Sequence, residues 1–183
     1  MAVETDGRHY TYRILSLIID VGGHMYRTVF TAEAENTSGT VQAFLTYNKS
    51  SIKEFVPGSS SEKPKIISDK QFSVMFPNNS AASSADGFDV TLLAFLLRNI
   101  CPSFCRGDLQ KTWSEKLDTL QSNDFTDVAE FVRIREYRNK VMHEVSNTST
   151  AFTENTFNDL WNDITDESGK SPNVSNKQPS TFV

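Results

Sequence analysis

Cysteine is scarce in this chain, with Cys101 and Cys105 the only two among 183 residues. No second Cys/His pair stands at zinc-ligand spacing, and His143 is far off in sequence. Such a set builds neither a disulfide scaffold nor a structural zinc site, and it fits a reducing compartment. Long apolar runs are missing too. None approaches the ~18–20 residues of a membrane-spanning helix. The stretch Met1–Asp6 is acidic and carries no apolar core of a secretory leader. The expectation is a cytoplasmic protein with no membrane partner. Five Asn-X-Ser/Thr matches, at Asn36, Asn48, Asn78, Asn147 and Asn173, are then chance in a chain rich in Ser, Thr and Asn. Positive charge is in short supply: Lys and Arg total 18 against 23 Asp and Glu, for a net charge of −5. That balance argues against a broad electrostatic grip on nucleic acid, so no DNA is expected, while leaving room for a small basic site. A Gly-rich phosphate loop, a nucleophile elbow, heptads and internal repeats are all lacking, as is the alternation of a β-strand. No cofactor and no metal are expected.

What the chain does have is helical periodicity and phenylalanine, with 13 Phe in a composition that is 38% hydrophobic and 22% charged. This suffices for one soluble domain with a sizeable core. From Tyr10 to Ala34, Tyr10, Ile14, Leu17, Ile18, Val21, Met25 and Val29 share one helical face, interrupted by Gly22-Gly23, which should loosen or kink the helix. Asp20 and His24 are i, i+4 neighbours at its border. One or two helices are expected over 41–56 and a flexible loop over 57–64. Ser68 should cap a helix from Asp69 to Phe76 that Pro77 ends. A polar loop over 78–87 leads to the most apolar element, Phe88 to Ile100, expected as the central helix of the bundle. Asp89 and Arg98 suit the charge preference of its two ends. A connector over 106–123 should hold a short helix near Trp113–Leu120. Asp124 should cap a helix from Phe125 to Val145, and Thr153–Asn155 a last helix with Phe157, Leu160, Trp161 and Ile164 inward. The fold class expected is all-α, a bundle of about five helices with two long loops, over 8–166. A disordered tail is expected over 167–183.

The chemistry gathers in Ile134–His143. At about 100° per residue, Phe131, Ile134, Tyr137, Val141, Met142 and Val145 form one face. Arg138 falls near its middle, away from the charged side holding Arg133, Glu136, Lys140 and Glu144. An arginine there needs a carboxylate, such as Asp20 or Asp89, a subunit interface or an anionic ligand. Arg135, Asn139 and His143 make a polar stripe at the edge of the same face. This set suits RNA cleavage, because RNA carries its own nucleophile in the 2′-hydroxyl. Histidine can move the protons near neutral pH, the arginine fork can grip two phosphate oxygens, and asparagine can orient either. Arg138 and His143 stand about 140° apart on an ideal helix, so a two-fold dimer is one way to make two such sets converge.

The segment resembles the Arg-X4–6-His motif of the HEPN superfamily, with Asn139 as the polar residue after the arginine. The resemblance extends, in order, through Ile14–Gly22, Ile67–Pro77, Phe88–Leu93 with Arg98–Cys101, Arg135–Val141 and Phe157–Ile164. Over roughly residues 8–166 the chain is similar to the branch named after the DAZ-interacting zinc-finger RNA-binding ubiquitin ligase. That ligase's zinc-binding RING has no counterpart here. The resemblance implies a helical bundle that forms a homodimer with motifs face to face. It implies metal-independent endoribonuclease activity or, in degenerate members, RNA binding alone or homotypic assembly in signalling proteins. Carried over by position, Arg138 would contact the scissile phosphate, His143 would be the acid/base and Asn139 would orient them. Arg135 and Lys140 are the accompanying candidates for RNA binding.

Overall fold

The computed structural model describes residues 8–121 and 126–146, and positions 155, 157–159, 161 and 162 of a further helical stretch. Every regular element among these residues is helical, as the sequence predicts. Over residues 8–146 the described residues form seven α-helices: α1 (Arg8–Ser16), α2 (Gly23–Ser38), α3 (Val41–Lys53), α4 (Asp69–Met75), α5 (Val90–Asn99), α6 (Gln110–Trp113) and α7 (Asp127–Ser146). The excess over the expected five comes from breaks and one short helix. The chain over 8–38 is split by a π-helical segment, Leu17–Gly22, and α6 is a four-residue turn.

That π segment corrects the expected face of the first long helix. Ile14 and Ile18 are buried as expected, but Val21 and Met25 are exposed. The buried residues instead continue through Gly22, Gly23, Tyr26, Phe30 and Ala34. A four-residue stride drifts by about 40° per step on an ideal α-helix. Widening to i→i+5 bonds takes up part of that drift and keeps Ile14, Ile18, Gly22 and Tyr26 facing the bundle. Gly22 is required by close approach, since a Cβ there would stand 2.7 Å from Ile134 Cγ2 on α7.

The cap read from sequence at Ser68 holds. Ser68 forms a capping box with Gln71 at the start of α4. Asp89 sits one position earlier than expected, at the N-cap of α5 and not in its first turn, accepting from Leu92 N–H at 2.8 Å. The expected Asp124 cap lies outside the described residues. Thr126 Oγ1 accepts from Ala129 N–H at 3.3 Å at the start of α7. The helix near Trp113 ends at that residue rather than beginning there. Trp113 is buried, stacked 6.1 Å from the ring of Phe131 and donating to Phe104 O at 3.0 Å. The expected cap at Thr153–Asn155 and the tail over 167–183 fall wholly or largely outside the described residues.

α5 is central as expected, burying Val90, Leu92, Leu93, Phe95, Leu96 and Leu97. Each such side chain contributes about 1.5–3 kcal/mol by leaving water. Around it, Tyr26, Phe30, Phe44, Phe55, Phe88 and Phe131 make one aromatic-rich core. A smaller cluster ties α1 to the C-terminal half of α7 through Ile14, Ile18, Tyr137, Val141 and Phe157. α7 therefore lies against α1 at one end and against α5 and α6 at the other. No helix among the described residues is long and apolar enough to cross a membrane.

Candidate functional site: an arginine-lined cleft between α5, α6 and α7

α7 carries all the motif residues, and packing sorts them. Phe131, Tyr137 and Val141 are buried on the expected face, whereas Met142 is 43% exposed. Arg133, placed by the wheel on the charged side, is in fact 4% exposed. It pairs with Glu130 at 2.6 Å and donates to Gln121 O at 2.8 Å. The wheel missed this because it treats solvent as lying opposite the apolar stripe, while Gln121 stands against that side. The expected inward side chain of Val145 lies outside what the structure describes.

Arg135 is held by the end of α6. Its Nη1 donates to Trp113 O at 2.8 Å, its Nη2 to Glu115 O at 3.0 Å and its Nε to Glu136 Oε1 at 3.1 Å. A cation at the carbonyl end of a helix turn is favourably placed. Arg138 is different. It is half-buried, and among the described residues it makes no hydrogen bond and no ion pair. Neither expected carboxylate serves it. Asp89 is engaged with Leu92 N–H and Gln71, and Asp20 is exposed on the rim of a shallow groove beside Tyr12 and Arg13. Asn139 likewise has no hydrogen-bond partner for its side chain among the described residues. Asp20 and His24, the i, i+4 pair, make no hydrogen bond with each other there.

Arg135, Arg138 and Asn139 line a cleft of about 420 Å³ together with Arg98, Asn99 and Gln110. Among the described residues no carboxylate lines it. Arg98 is held by neutral groups of the α6 region, with Nε on Gln110 Oε1 at 3.2 Å and Nη2 on Ser114 Oγ at 3.0 Å. Its pKa is lowered, first by burial and then by the like charge of Arg135. The positive field reaches the core: burial pushes the Tyr26 hydroxyl well above its usual range, with Arg135 and Arg138 pulling the other way. The cleft is thus a concentration of cation in a chain whose net charge is −5. Lys140 and His143 are exposed and do not line it. The structure therefore brings together three of the five sequence candidates and leaves two outside on the same helix.

Sequence reasoning missed Arg98, Asn99 and Gln110. Arg98 had an adequate local explanation as a cation at a helix C-terminus. The available signal was its isolation as the single cation in an otherwise apolar helix, next to a segment that must turn back toward α7. Among the described residues no group of three or more His, Cys, Asp or Glu side chains could hold a metal ion. Cys101 is buried in the core, and burial pushes its thiol well up.

The helical bundle, with Arg138 and Asn139 lining a cleft beside Arg98 and Arg135, defines an all-α domain. Residues 38–167 match the family described as DZIP3/hRUL138-like HEPN, so the chain belongs to the HEPN domains of that branch. The matched span begins at the end of α2. No curated protein and no solved structure matches the chain.

Proposed function

We propose that this HEPN domain binds single-stranded RNA at the α5–α6–α7 cleft and cleaves it without a metal ion. The observation that carries the reading is Arg138, half-buried in a cleft where, among the described residues, it has no partner and no carboxylate forms part of the lining. A guanidinium in that state is stabilised by an anion, and a phosphodiester supplies two oxygens for its fork. Asn139 adds a neutral amide on the same helix turn. Arg135 and Lys140 supply further positive charge along the helix. His143, exposed in the last turn of α7, is available for proton transfer. In the reaction the 2′-oxygen loses its proton to a base and bonds to phosphorus. The bond from phosphorus to the 5′-oxygen breaks, and that oxygen takes a proton. The products are a 2′,3′-cyclic phosphate and a 5′-hydroxyl. Because His143 lies about 140° round the helix from Arg138, a phosphate gripped by one copy is most simply served by His143 of a second copy across a two-fold axis.

The test is incubation of the whole chain with single-stranded RNA in EDTA. Cleavage to cyclic-phosphate ends is expected, with His143→Ala losing cleavage but retaining binding and Arg138→Ala losing both. Absence of cleavage, or cleavage untouched in His143→Ala, removes the enzymatic reading. A second reading, RNA binding without cleavage in a homotypic assembly, is favoured by the position of His143 outside the cleft. It is the conclusion if wild type and His143→Ala bind RNA equally and neither cuts it.

A further inference from the structure

Positive charge also gathers at the loop that follows α3, away from the motif. Lys65 reaches back across that loop, and its Nζ donates to Ser59 Oγ at 2.6 Å, Ser61 O at 2.6 Å and Glu54 O at 3.0 Å. All three acceptors are neutral, and among the described residues Lys65 meets no carboxylate. Two of the acceptors belong to the residues on either side of Ser60, so the ammonium is pinned at the turn that Ser60 occupies. Gly58, at φ 79°, opens this turn, and Ser59 N–H donates to Val56 O at 3.3 Å. The neighbouring hydroxyls are engaged. Ser59 Oγ donates to Glu54 O at 2.9 Å, and Ser61 Oγ accepts from Lys63 N–H at 3.1 Å. Ser60 is exposed, and its hydroxyl has no partner among the described residues. It lines a recess together with Lys53, which also has none there. Glu54 lines the same recess, but its carboxylate is paired with Lys63 at 2.6 Å. Lys53, Lys63 and Lys65 thus outnumber Glu54 and Glu62 in a chain whose net charge is −5.

We infer that Ser60 is a phosphorylation site and that the phosphate it receives is held by Lys53 and Lys65. A protein kinase performs the transfer. Ser60 Oγ bonds to the γ-phosphorus of ATP, the bond from that phosphorus to the β–γ bridging oxygen breaks, ADP leaves, and the hydroxyl proton passes to a base of the kinase. The product carries a charge of about −1.5 to −2 at neutral pH and three acceptor oxygens. Lys53 gains the partner it lacks. Lys65 exchanges neutral acceptors for a charged one, and such bonds are roughly twice as strong. The turn is thereby fastened to the last turn of α3. The inference stands apart from the RNA reading, because Ser60, Lys53 and Lys65 do not line the cleft of Arg138.

The full chain is incubated with ATP and a protein kinase that selects serine near a carboxylate, Glu62 standing two residues beyond Ser60. Peptide mapping by mass spectrometry reads the position. Phosphate is expected on Ser60 and is absent from Ser60→Ala. Phosphate that avoids Ser60, or none at all, overturns the site. Phosphoserine is also installed at position 60 by ligation, and its phosphate is titrated by phosphorus NMR. In the free peptide of residues 57–65 the second ionisation should fall near pH ~6. In the folded chain it should fall lower by about 0.5 or more, because a nearby ammonium favours the dianion. Lys53→Gln removes no contact that the unmodified chain makes among the described residues, and it should return part of that difference. A phosphate that titrates as in the free peptide, or that is unmoved by Lys53→Gln, overturns the lysine seat and the inference with it.

Discussion

Two arginines on α7, five residues apart, should respond very unequally to truncation. Arg133 is almost fully buried, paired with Glu130 at 2.6 Å and hydrogen-bonded to Gln121 O at 2.8 Å. Removing one partner of a buried pair costs about 3–5 kcal/mol. Glu130 keeps 32% of its side chain in contact with water and can recover solvation, so the lower end of that range applies, about 3 kcal/mol. Arg138 has no such partner among the described residues, and deleting it also relieves repulsion within the arginine group. Its truncation should stay within about 1 kcal/mol, close to an ordinary surface change. With a urea slope of about 2 kcal/mol/M, Arg133→Ala lowers the unfolding midpoint by about 1.5 M and Arg138→Ala by less than about 0.5 M. Urea titration followed by far-ultraviolet circular dichroism reads both. If Arg138→Ala is as damaging as Arg133→Ala, Arg138 holds a structural carboxylate and the anion-receptive cleft is refuted.

Gly22→Ala should destabilise by about 1–3 kcal/mol through overpacking on Ile134, less the gain in helix propensity, and Ile134→Val should recover part of the loss in the double variant by the same urea assay. Asp89→Ala should cost only about 1 kcal/mol, the loss of an N-cap, rather than the larger cost of stripping a buried arginine of its partner; thermal unfolding distinguishes the two. Tyr26 is buried with its hydroxyl donating to Phe131 O at 2.7 Å, and its folded pKa lies above the unfolded value. The contribution is therefore present below about pH 10 and lost as pH rises from there toward the folded pKa. Stability measured from pH 9 to 11 should fall less steeply in Tyr26→Phe than in the wild type.

Much of the helical order was legible because local chemistry wrote it. Ser68 with Gln71, Pro77 after α4 and the all-round apolar run of α5 are short-range signals, and they recur in the structure where the pattern put them. The misreadings share one cause. Val21 and Met25, expected inside, lie exposed because a π segment changes the helix's phase, and periodicity assumes one constant twist. Trp113, expected to open a helix, closes one because its ring is held by Phe131 and its indole N–H by Phe104 O, partners distant or irregular in sequence.

For the site, the sequence by itself determined that Arg138 sits on the apolar side of its helix, where it calls for a carboxylate, a subunit interface or an anionic ligand, with Asn139 beside it. It did so because residue identity and the 3.6-residue turn fix which side chains share a face. Only the tertiary structure decided what meets that face. Packing of α5 and α6 against α7 spends Asp89 on a cap, leaves Asp20 at the surface and brings Arg98 from forty residues away into the same cleft. The same packing puts Arg135 and Arg138 inside the cleft and His143 outside it. The angle round one helix is a local quantity, but whether a neighbour covers it depends on contacts between residues far apart in the chain.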